Sequence, residues 1–487
     1  MRILIRSIKR EIMIKNKTLK AAGWYTVSNF ISKCIIYLLT PYYARLLTEA
    51  EYGQLSNLSS WRNILLVVIT FDLYSTVTVA YIDYNEKEFK KYIASITVFS
   101  VFFPLIICSI MFMFGETVAS VTSIGSNYLP IMFISIIFNA PLLIFQAVQR
   151  SQVRYKAASV LTMLSSISMV VFTVVFVSLL EDKLLGVISG SFIGSILINI
   201  MLIVVMFRGG MCFKLEHIKY ALRIAIPLIP HIIGTTILGT SDKIMITKIC
   251  GDEANAHYSL VYTCSMVVTM LVSSINSAWV PWFYNKLKSK ELNGVRKVVQ
   301  VLAPILGLCS FIISITAPEI VLIIGGKSYI DSAYIMPPII SSCFINYIYT
   351  LYVNIIFYDK KTIWISIGTV SACVINIILN YFFINTFGYM AAAYTTLFSN
   401  IFMLLVNYFV SKTIRKGRVY DDRYLAICSV IVLILCILCI ITYKSYAMRI
   451  GYLAIVFFAF LVVILKNKKR VFEICSIIKK RGDDNDY

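Results

Sequence analysis

Long runs of apolar residues recur along the chain and are separated by short polar segments. A helix that spans a bilayer needs about 20 mostly apolar residues, and fourteen runs are long enough to do so. The predicted spans are 23–44, 56–80, 92–114, 128–148, 157–180, 184–207, 224–247, 257–282, 298–317, 333–357, 362–384, 389–410, 424–443 and 447–465. The pattern predicts an all-α, polytopic membrane protein with about fourteen transmembrane helices.

The composition agrees with this pattern. Of the 487 residues, 59% are apolar and 14% are charged, whereas soluble domains average about 45–50% apolar and about 25% charged residues. The mean hydropathy is +0.82. There are too few polar residues to cover the surface of soluble domains, so the composition excludes a soluble enzyme and a disordered protein.

The basic residues predict the orientation in the membrane. The chain has 45 Lys and Arg against 24 Asp and Glu, a net charge of +21. Cytoplasmic loops of membrane proteins carry an excess of Lys and Arg. If the N-terminus is cytoplasmic, 36 basic residues lie in cytoplasmic segments, 6 in outer loops and 3 inside spans. We therefore expect both termini in the cytoplasm, a basic segment lying on the inner leaflet at residues 1–20, and no nucleic-acid partner.

Two short motifs indicate an internal repeat. Residues 45–56, after span 1, resemble residues 248–259, after span 7, at an offset of 203, so that Ser56 corresponds to Ser259. Leu185-Gly186-Val187 and Phe387-Gly388-Tyr389 correspond at an offset of 202. Each half then has six spans, an even number, which predicts a parallel repeat about an axis along the membrane normal, with the substrate bound between the halves.

The repeat also predicts the domain organisation. Spans 13 and 14 lie outside it as an addition. The predicted parts are a basic interfacial segment, an N-lobe of spans 1–6, a C-lobe of spans 7–12, the two extra spans and a cytoplasmic tail: 1–20, 21–210, 211–417, 418–466 and 467–487.

Ionisable residues inside spans are the main candidates for a site. Each raises the free energy of inserting its helix by at least about 2.5–3.5 kcal/mol at the bilayer centre, so its presence calls for a structural or functional reason. They are Lys33 in span 1, Arg62 and Asp72 in span 2, and Asp242 and Lys243 in span 7. One interpretation is a set of ion pairs that hold helices together, such as Lys33 with Asp72. The other is a polar cavity lined by spans 1, 2 and 7. Three cations against two anions suit an anionic substrate such as a diphosphate. Asn29 of span 1 is counted with these substrate-binding candidates.

Other motifs favour structural roles. Gly186, Gly190 and Gly194 recur every four residues on span 6 and predict close helix packing. Asn376 and Asn380 share a face of span 11 and either join helices or line a cavity. Most cysteines lie inside apolar runs, and the three histidines are scattered. The sequence predicts no metal site, no cofactor and no catalytic residues.

Five segments together resemble the polysaccharide-biosynthesis flippases of the multidrug/oligosaccharidyl-lipid/polysaccharide exporter superfamily. The resemblance implies two six-helix lobes that open alternately to the two sides, with two extra C-terminal helices. It also implies a charged pair near the outer end of span 7, matched by Asp242 and Lys243, and a basic residue in span 1, matched by Lys33. The chain departs from the family at Met390, where glycine is usual. The segments are LLTEAEYG (46–53), PLIPHIIGTTILGTSDKIMI (227–246), HYSLVY (257–262), NSAWVPWFY (276–284) and NIILNYFFINTFGYMAAAY (376–394).

The expected function is therefore that of a flippase in the bacterial inner membrane. It would move an undecaprenyl-diphosphate-linked oligosaccharide, an O-antigen (lipopolysaccharide) or capsular repeat unit, from the cytoplasmic to the outer leaflet by alternating access. Its partners would be that lipid-linked substrate and membrane lipid. A coupling ion, proton or sodium, and other membrane proteins of polysaccharide assembly are left open. The alternatives are a drug or metabolite antiporter of the same superfamily, and a membrane-embedded polysaccharide polymerase or ligase.

Overall fold

The computed structural model describes residues 24, 28, 31, 32, 34, 35, 37–152, 154–207, 212–415 and 417–466. These residues form α-helices joined by short loops and 3₁₀ turns, and no strand occurs among them. The helices are α1 (Glu49–Thr70), α2 (Val77–Asp83), α3 (Glu86–Met113), α4 (Gly115–Thr122), α5 (Leu129–Ile137), α6 (Ala140–Ser151), α7 (Tyr155–Leu179), α8 (Lys183–Phe207), α9 (Leu215–Ala225), α10 (Ile229–Cys250), α11 (Asp252–Lys288), α12 (Leu292–Ile315), α13 (Ala317–Ile324), α14 (Met336–Tyr358), α15 (Thr362–Phe387), α16 (Ala391–Ile414), α17 (Asp422–Thr442) and α18 (Tyr446–Lys466).

The helices confirm the predicted fold class of a polytopic all-α membrane protein. Eleven helical segments among the described residues are long and apolar enough to cross a membrane, and the bent pair of α1 and α2 makes a twelfth. These twelve segments correspond to predicted spans 2–13. Helix α18 corresponds to span 14, and every described residue of span 1 is helical.

Several helix boundaries differ from the predicted spans. Helix α1 begins at Glu49, seven residues before the predicted start of span 2, because Thr48 and Glu51 form a capping box. The backbone N–H of Glu51 donates to the Thr48 hydroxyl (3.3 Å), and the N–H of Thr48 donates to the Glu51 carboxylate (2.8 Å). This arrangement satisfies two N–H groups that have no partner inside the helix. Span 4 is broken at residues 138–139 into α5 and α6.

Large apolar side chains cover the outer surface of the bundle. On α3, Phe102, Ile106 and Met113 are 54%, 57% and 80% exposed, and Ile431 of α17 is 50% exposed. Soluble monomers rarely expose continuous apolar surfaces of this kind. Because lipid tails solvate such side chains and helices satisfy their own backbone hydrogen bonds, these surfaces fit the hydrocarbon layer of a membrane.

The chain divides into two compact units, Met1–Ser259 and Leu260–Tyr487. In the first unit, α7 and α8 pack closely, as the glycine motif predicts. A Cβ atom at Gly190 would lie 2.3 Å from the Thr173 Cα, and one at Gly186 or Gly194 would lie 2.9 Å from the backbone of α7. Glycine is required because no side chain fits between the two helices at these positions.

In the second unit, α14 is the central helix and α15, α16 and α17 pack around it. Asn376 and Asn380 of α15 are fully buried and face α16. The Asn376 amide donates to the Thr396 hydroxyl (3.3 Å), and the Thr395 hydroxyl donates to the Asn380 carbonyl oxygen. The two asparagines therefore join helices, and the alternative that they line a cavity is not supported.

Candidate substrate site

Arg62 lies in the middle of α1. Because the helix begins at Glu49, Arg62 is about 20 Å along its axis at a rise of about 1.5 Å per residue. Its Nε donates to the Ser135 hydroxyl of α5 (2.7 Å), and its guanidinium lies 4.8 Å from the centroid of the Phe192 ring of α8. The side chain is half-buried.

These contacts hold Arg62 without neutralising it. A serine hydroxyl and an aromatic ring orient a guanidinium, but neither carries a negative charge. Within the part of the chain that the structure describes, Arg62 is in no ion pair with a carboxylate. A half-buried cation that keeps most of its five N–H donors available is suited to a bidentate interaction with a phosphate group.

Asp72 lies at a break in the same span. Phe71 and Asp72 both have left-handed backbone conformations, with φ of 53° and 51°, and the helical segments on either side of the break are bent by 51°. Aspartate adopts this conformation more readily than most residues because its short polar side chain can bond locally. Asp72 is 8% exposed. Its carboxylate is thus held at a bend of the span, two residues beyond the end of the helix that carries Arg62.

Asp242 and Lys243 lie in α10, and the hydroxyl of Tyr258 in α11 donates to the Asp242 carboxylate (2.5 Å). Asp242 is 2% exposed, whereas Lys243 is half-buried. The two neighbouring side chains therefore have different surroundings, as expected for residues about 100° apart on a helix. Sequence reasoning missed Tyr258. The sequence contains a signal for this contact. Asp242 and Tyr258 lie at similar distances along the chain before and after Gly251, where α10 ends and α11 begins, so the turn between the two helices can place them side by side.

The structure brings the helices of these residues together. Helix α1, which carries Arg62, packs along α10, which carries Asp242 and Lys243. The remaining two candidates, Lys33 and Asn29, lie outside the described residues. The ion pair between Lys33 and Asp72 therefore stays one of the two interpretations of these residues.

The two repeat motifs contact each other. The hydroxyls of Ser56 and Ser259, which correspond in the repeat, lie 2.6 Å apart. A contact between corresponding residues is what a twofold axis produces, because each half presents the same surface to the other. We call the contact between the first turns of α1 and α11 the α1–α11 clasp.

The clasp is tightly packed. The Asn255 amide donates to the Gly53 carbonyl oxygen (2.9 Å), and a Cβ atom at Gly53 would lie 1.8 Å from the Asp252 carbonyl oxygen. His257 Nε2 lies 3.1 Å from the Glu49 carboxylate. Only glycine allows the two helices to approach this closely. The clasp thus joins the beginning of α1 to the beginning of α11.

The described residues contain no group of three or more His, Cys, Asp or Glu side chains that could hold a metal ion. The ionisable candidate residues that the structure describes lie instead on α1, at the break after it and on α10. The fold is that of a multi-pass membrane protein.

Comparisons with known proteins agree with this fold and show the family. The family described as "Polysaccharide biosynthesis protein" matches residues 18–286, more than half of the chain. The chain belongs to this family. A curated relative, "Lsg locus putative protein 1" of Haemophilus influenzae, is 23% identical over 387 residues, which cover 74% of this chain and 89% of that protein.

Solved structures show the same fold. The structure titled "Lipid II flippase MurJ, inward closed conformation" has a TM-score of 0.73 at 14% identity and covers 92% of this chain and 99% of its own. An inward-facing multidrug resistance MATE family transporter of the MOP superfamily has a TM-score of 0.63 at 12% identity, covering 78% of this chain and 97% of its own. The resemblance predicted from the sequence is confirmed.

Proposed function

We propose that the protein is a flippase that moves an undecaprenyl-diphosphate-linked oligosaccharide, an O-antigen or capsular repeat unit, from the cytoplasmic to the outer leaflet of the bacterial inner membrane. The observation that carries this proposal is Arg62, a cation inside a span that is held by a serine and a ring and has no carboxylate in contact among the described residues. The family and the fold support transport of a lipid-linked substrate.

In this proposal the diphosphate is drawn to the positive residues, and the polyprenyl tail stays in the bilayer. Arg62 binds phosphate oxygens, and Lys243 of the neighbouring helix and Lys33 of span 1 add positive charge. Asp242 accepts a hydrogen bond from Tyr258 and balances the positive charge at the site. Asn29 is assigned to the sugar or phosphate oxygens. The substrate crosses by a change of conformation, so no covalent step and no cofactor are required.

The α1–α11 clasp would be the closed outer end of the transport path. By the distribution of basic residues, both repeat motifs face the outer side, so a clasped molecule is closed to the outside at this point. Release of the substrate outside then requires α1 and α11 to separate at Ser56 and Ser259. If transport is coupled to an ion, proton or sodium, that ion would act on this equilibrium.

A transport assay in liposomes tests the function. The purified chain is reconstituted with a fluorescent polyprenyl-diphosphate-linked disaccharide, and dithionite bleaches the label in the outer leaflet. Without transport about half of the label is protected, whereas a flippase should expose almost all of it. If the protected fraction stays unchanged while a cationic dye crosses the same membranes, the antiporter alternative is correct. A drug site of that kind would favour acidic residues, and the positive residues described here do not suit it.

The orientation can be tested with reporter fusions. The expected topology places Ser123 and Ser328 outside and Asn85 and Asn293 inside, because 36 of the 45 basic residues then lie in cytoplasmic segments. Fusions of an alkaline phosphatase or a fluorescent protein at these four positions should give alternating outer and inner signals. A cytoplasmic signal at Ser123 would contradict the topology.

A further inference from the structure

A basic groove lies at one end of the first unit, and its described lining includes none of the residues proposed to bind substrate inside the spans. It has a volume of about 940 Å³, within the usual range of ligand pockets, and three connections meet there: α2–α3, α6–α7 and α8–α9. All three are cytoplasmic in the predicted topology. Its cations are Lys87, Lys90, Lys91 and Arg154, against one carboxylate, Glu86, among the described lining residues. We call it the Lys87–Arg154 groove.

Two of the four cations are available to a ligand. Lys90 pairs with Glu86 (2.9 Å) and Lys91 with Glu88 (3.2 Å). Lys87 and Arg154 are exposed and make no ion pair with a residue that the structure describes. The Lys90–Glu86 pair is also exposed, and such pairs contribute little, so Lys90 can turn toward an anion at small cost.

The nearby acidic residue Glu88 does not oppose an anion in the groove. Its carboxylate is bonded by Lys214 as well as by Lys91, and His217 Nε2 lies 3.3 Å from it. The hydrogen bond from Lys214 to Glu88 raises the pKa of Lys214, which therefore stays charged. With Glu88 neutralised in this way, the groove keeps a net positive charge.

The rim of the groove is aromatic and apolar. The Tyr81 and Phe89 rings are 5.3 Å apart in an edge-to-face arrangement, and Tyr81 is 42% exposed. Ile82 and Val205, beside or within the lining, are 78% and 40% exposed. Exposed tyrosines next to exposed aliphatic side chains are typical of the boundary between lipid and water. A ligand in the groove can therefore be anchored in the bilayer while its head group contacts the cations.

We infer that the Lys87–Arg154 groove binds the diphosphate head group of a polyprenyl-linked lipid at the cytoplasmic surface of the membrane, before that lipid reaches the residues inside the spans. The inference rests on the proposed function for the identity of the lipid. The chemistry fits because Arg154 can bind a phosphate with two parallel N–H groups, and the lysines act as point charges on the second phosphate. The tail would lie against Ile82 and Val205.

The anionic phospholipids of the membrane also carry a phosphate group, but that group has a single negative charge, fewer than a diphosphate. A groove with two available cations and a third that can turn inward should discriminate in favour of a diphosphate. An attraction to the negative membrane surface alone would depend on charge at this end of the protein and not on the position of the cations. These two sources of phosphate can be separated by experiment.

The test compares two double variants of the full chain in nanodiscs of neutral lipid. Both also carry Arg62→Gln, so that binding inside the spans does not mask the groove, and the Arg62→Gln chain is their reference. The Lys87→Gln and Arg154→Gln variant removes one lysine and one arginine from the groove. The Lys219→Gln and Arg223→Gln variant removes the same charges from α9, where both side chains are exposed and outside the groove. Binding of undecaprenyl diphosphate and of phosphatidylglycerol is measured by native mass spectrometry. Soluble pyrophosphate serves as a third probe.

The groove variant should bind undecaprenyl diphosphate about tenfold more weakly or worse, as expected for the loss of two charged hydrogen-bonding groups. The α9 variant should bind it as the Arg62→Gln chain does, and binding of phosphatidylglycerol should change little in either variant. The inference is overturned if the groove variant binds the diphosphate normally, or if both variants lose both lipids equally, which would indicate general surface charge. Pyrophosphate should compete with the lipid in the wild type, and failure to compete would count against a phosphate site.

This binding assay is independent of transport. A wild-type chain that binds undecaprenyl diphosphate in the groove but does not move the fluorescent lipid would refute the proposed function and leave the groove assignment intact. A chain that transports normally with both groove residues replaced would refute the groove assignment alone. Melting temperatures of the two double variants should match that of the Arg62→Gln chain, since all four side chains are exposed.

Discussion

Replacing Arg62 by glutamine should reduce the rate of flipping about 100-fold in the liposome assay. The estimate assumes the loss of two hydrogen bonds between a guanidinium and a phosphate, each worth about 1.5 kcal/mol or more. The stability of the protein should not fall. A cation inside the membrane that no carboxylate neutralises is a cost to the folded protein, so its removal should leave the melting temperature unchanged or raise it.

Two further variants distinguish a role of Arg62 in substrate binding from a role in helix packing. Arg62→Lys keeps the charge but loses the planar fork and the bond to Ser135, and should keep part of the transport. Ser135→Ala removes the hydroxyl to which the Arg62 Nε donates (2.7 Å) and leaves the guanidinium in place, so transport should stay within about threefold of the wild type. If Arg62→Gln and Ser135→Ala lower stability and transport together, Arg62 is a structural residue and the site assignment is wrong.

The spans were predictable because the membrane imposes one requirement on all of them. A helix must carry about 20 apolar residues to cross, and this signal is independent of tertiary contacts. The ends of helices were not predictable in this way. Hydropathy begins span 2 at residue 56, whereas the Thr48–Glu51 capping box starts the helix at Glu49. Likewise, α11 continues to Lys288, past the predicted end at 282, because polar residues prolong a helix beyond the bilayer.

The candidate site was predictable in its residue types but not in its contacts. Arg62 stands out in the sequence because charge inside a span is rare. Its contacts with Ser135 and Phe192 depend on how α5 and α8 pack against α1, and no short-range pattern contains that information. The repeat was more informative, since it matched Ser56 with Ser259, and the two hydroxyls lie in contact. A repeat predicts contacts only at its axis, where corresponding residues must meet.

The contact between the Ser56 and Ser259 hydroxyls leads to a second prediction, a disulfide that blocks transport. In the Ser56→Cys and Ser259→Cys double variant, the two sulfur atoms would replace hydroxyl oxygens that lie 2.6 Å apart, a separation that suits a disulfide after a small adjustment. Oxidation should form the disulfide in the clasped state and lower flipping to the level of protein-free liposomes, because α1 and α11 can no longer separate. A thiol reductant should restore transport.

The matched control places a disulfide between helices that do not need to separate. Thr173 of α7 and Ser191 of α8 have hydroxyls 3.4 Å apart, in the packing held by Gly190. The Thr173→Cys and Ser191→Cys variant should transport equally well oxidised and reduced, and wild-type protein treated with the same oxidant accounts for the native cysteines. If the oxidised clasp variant forms its disulfide, verified by mass spectrometry, and still transports at the wild-type rate, then the clasp does not open during transport. The substrate would then have to cross by another path, and the role given to α1 and α11 would be refuted.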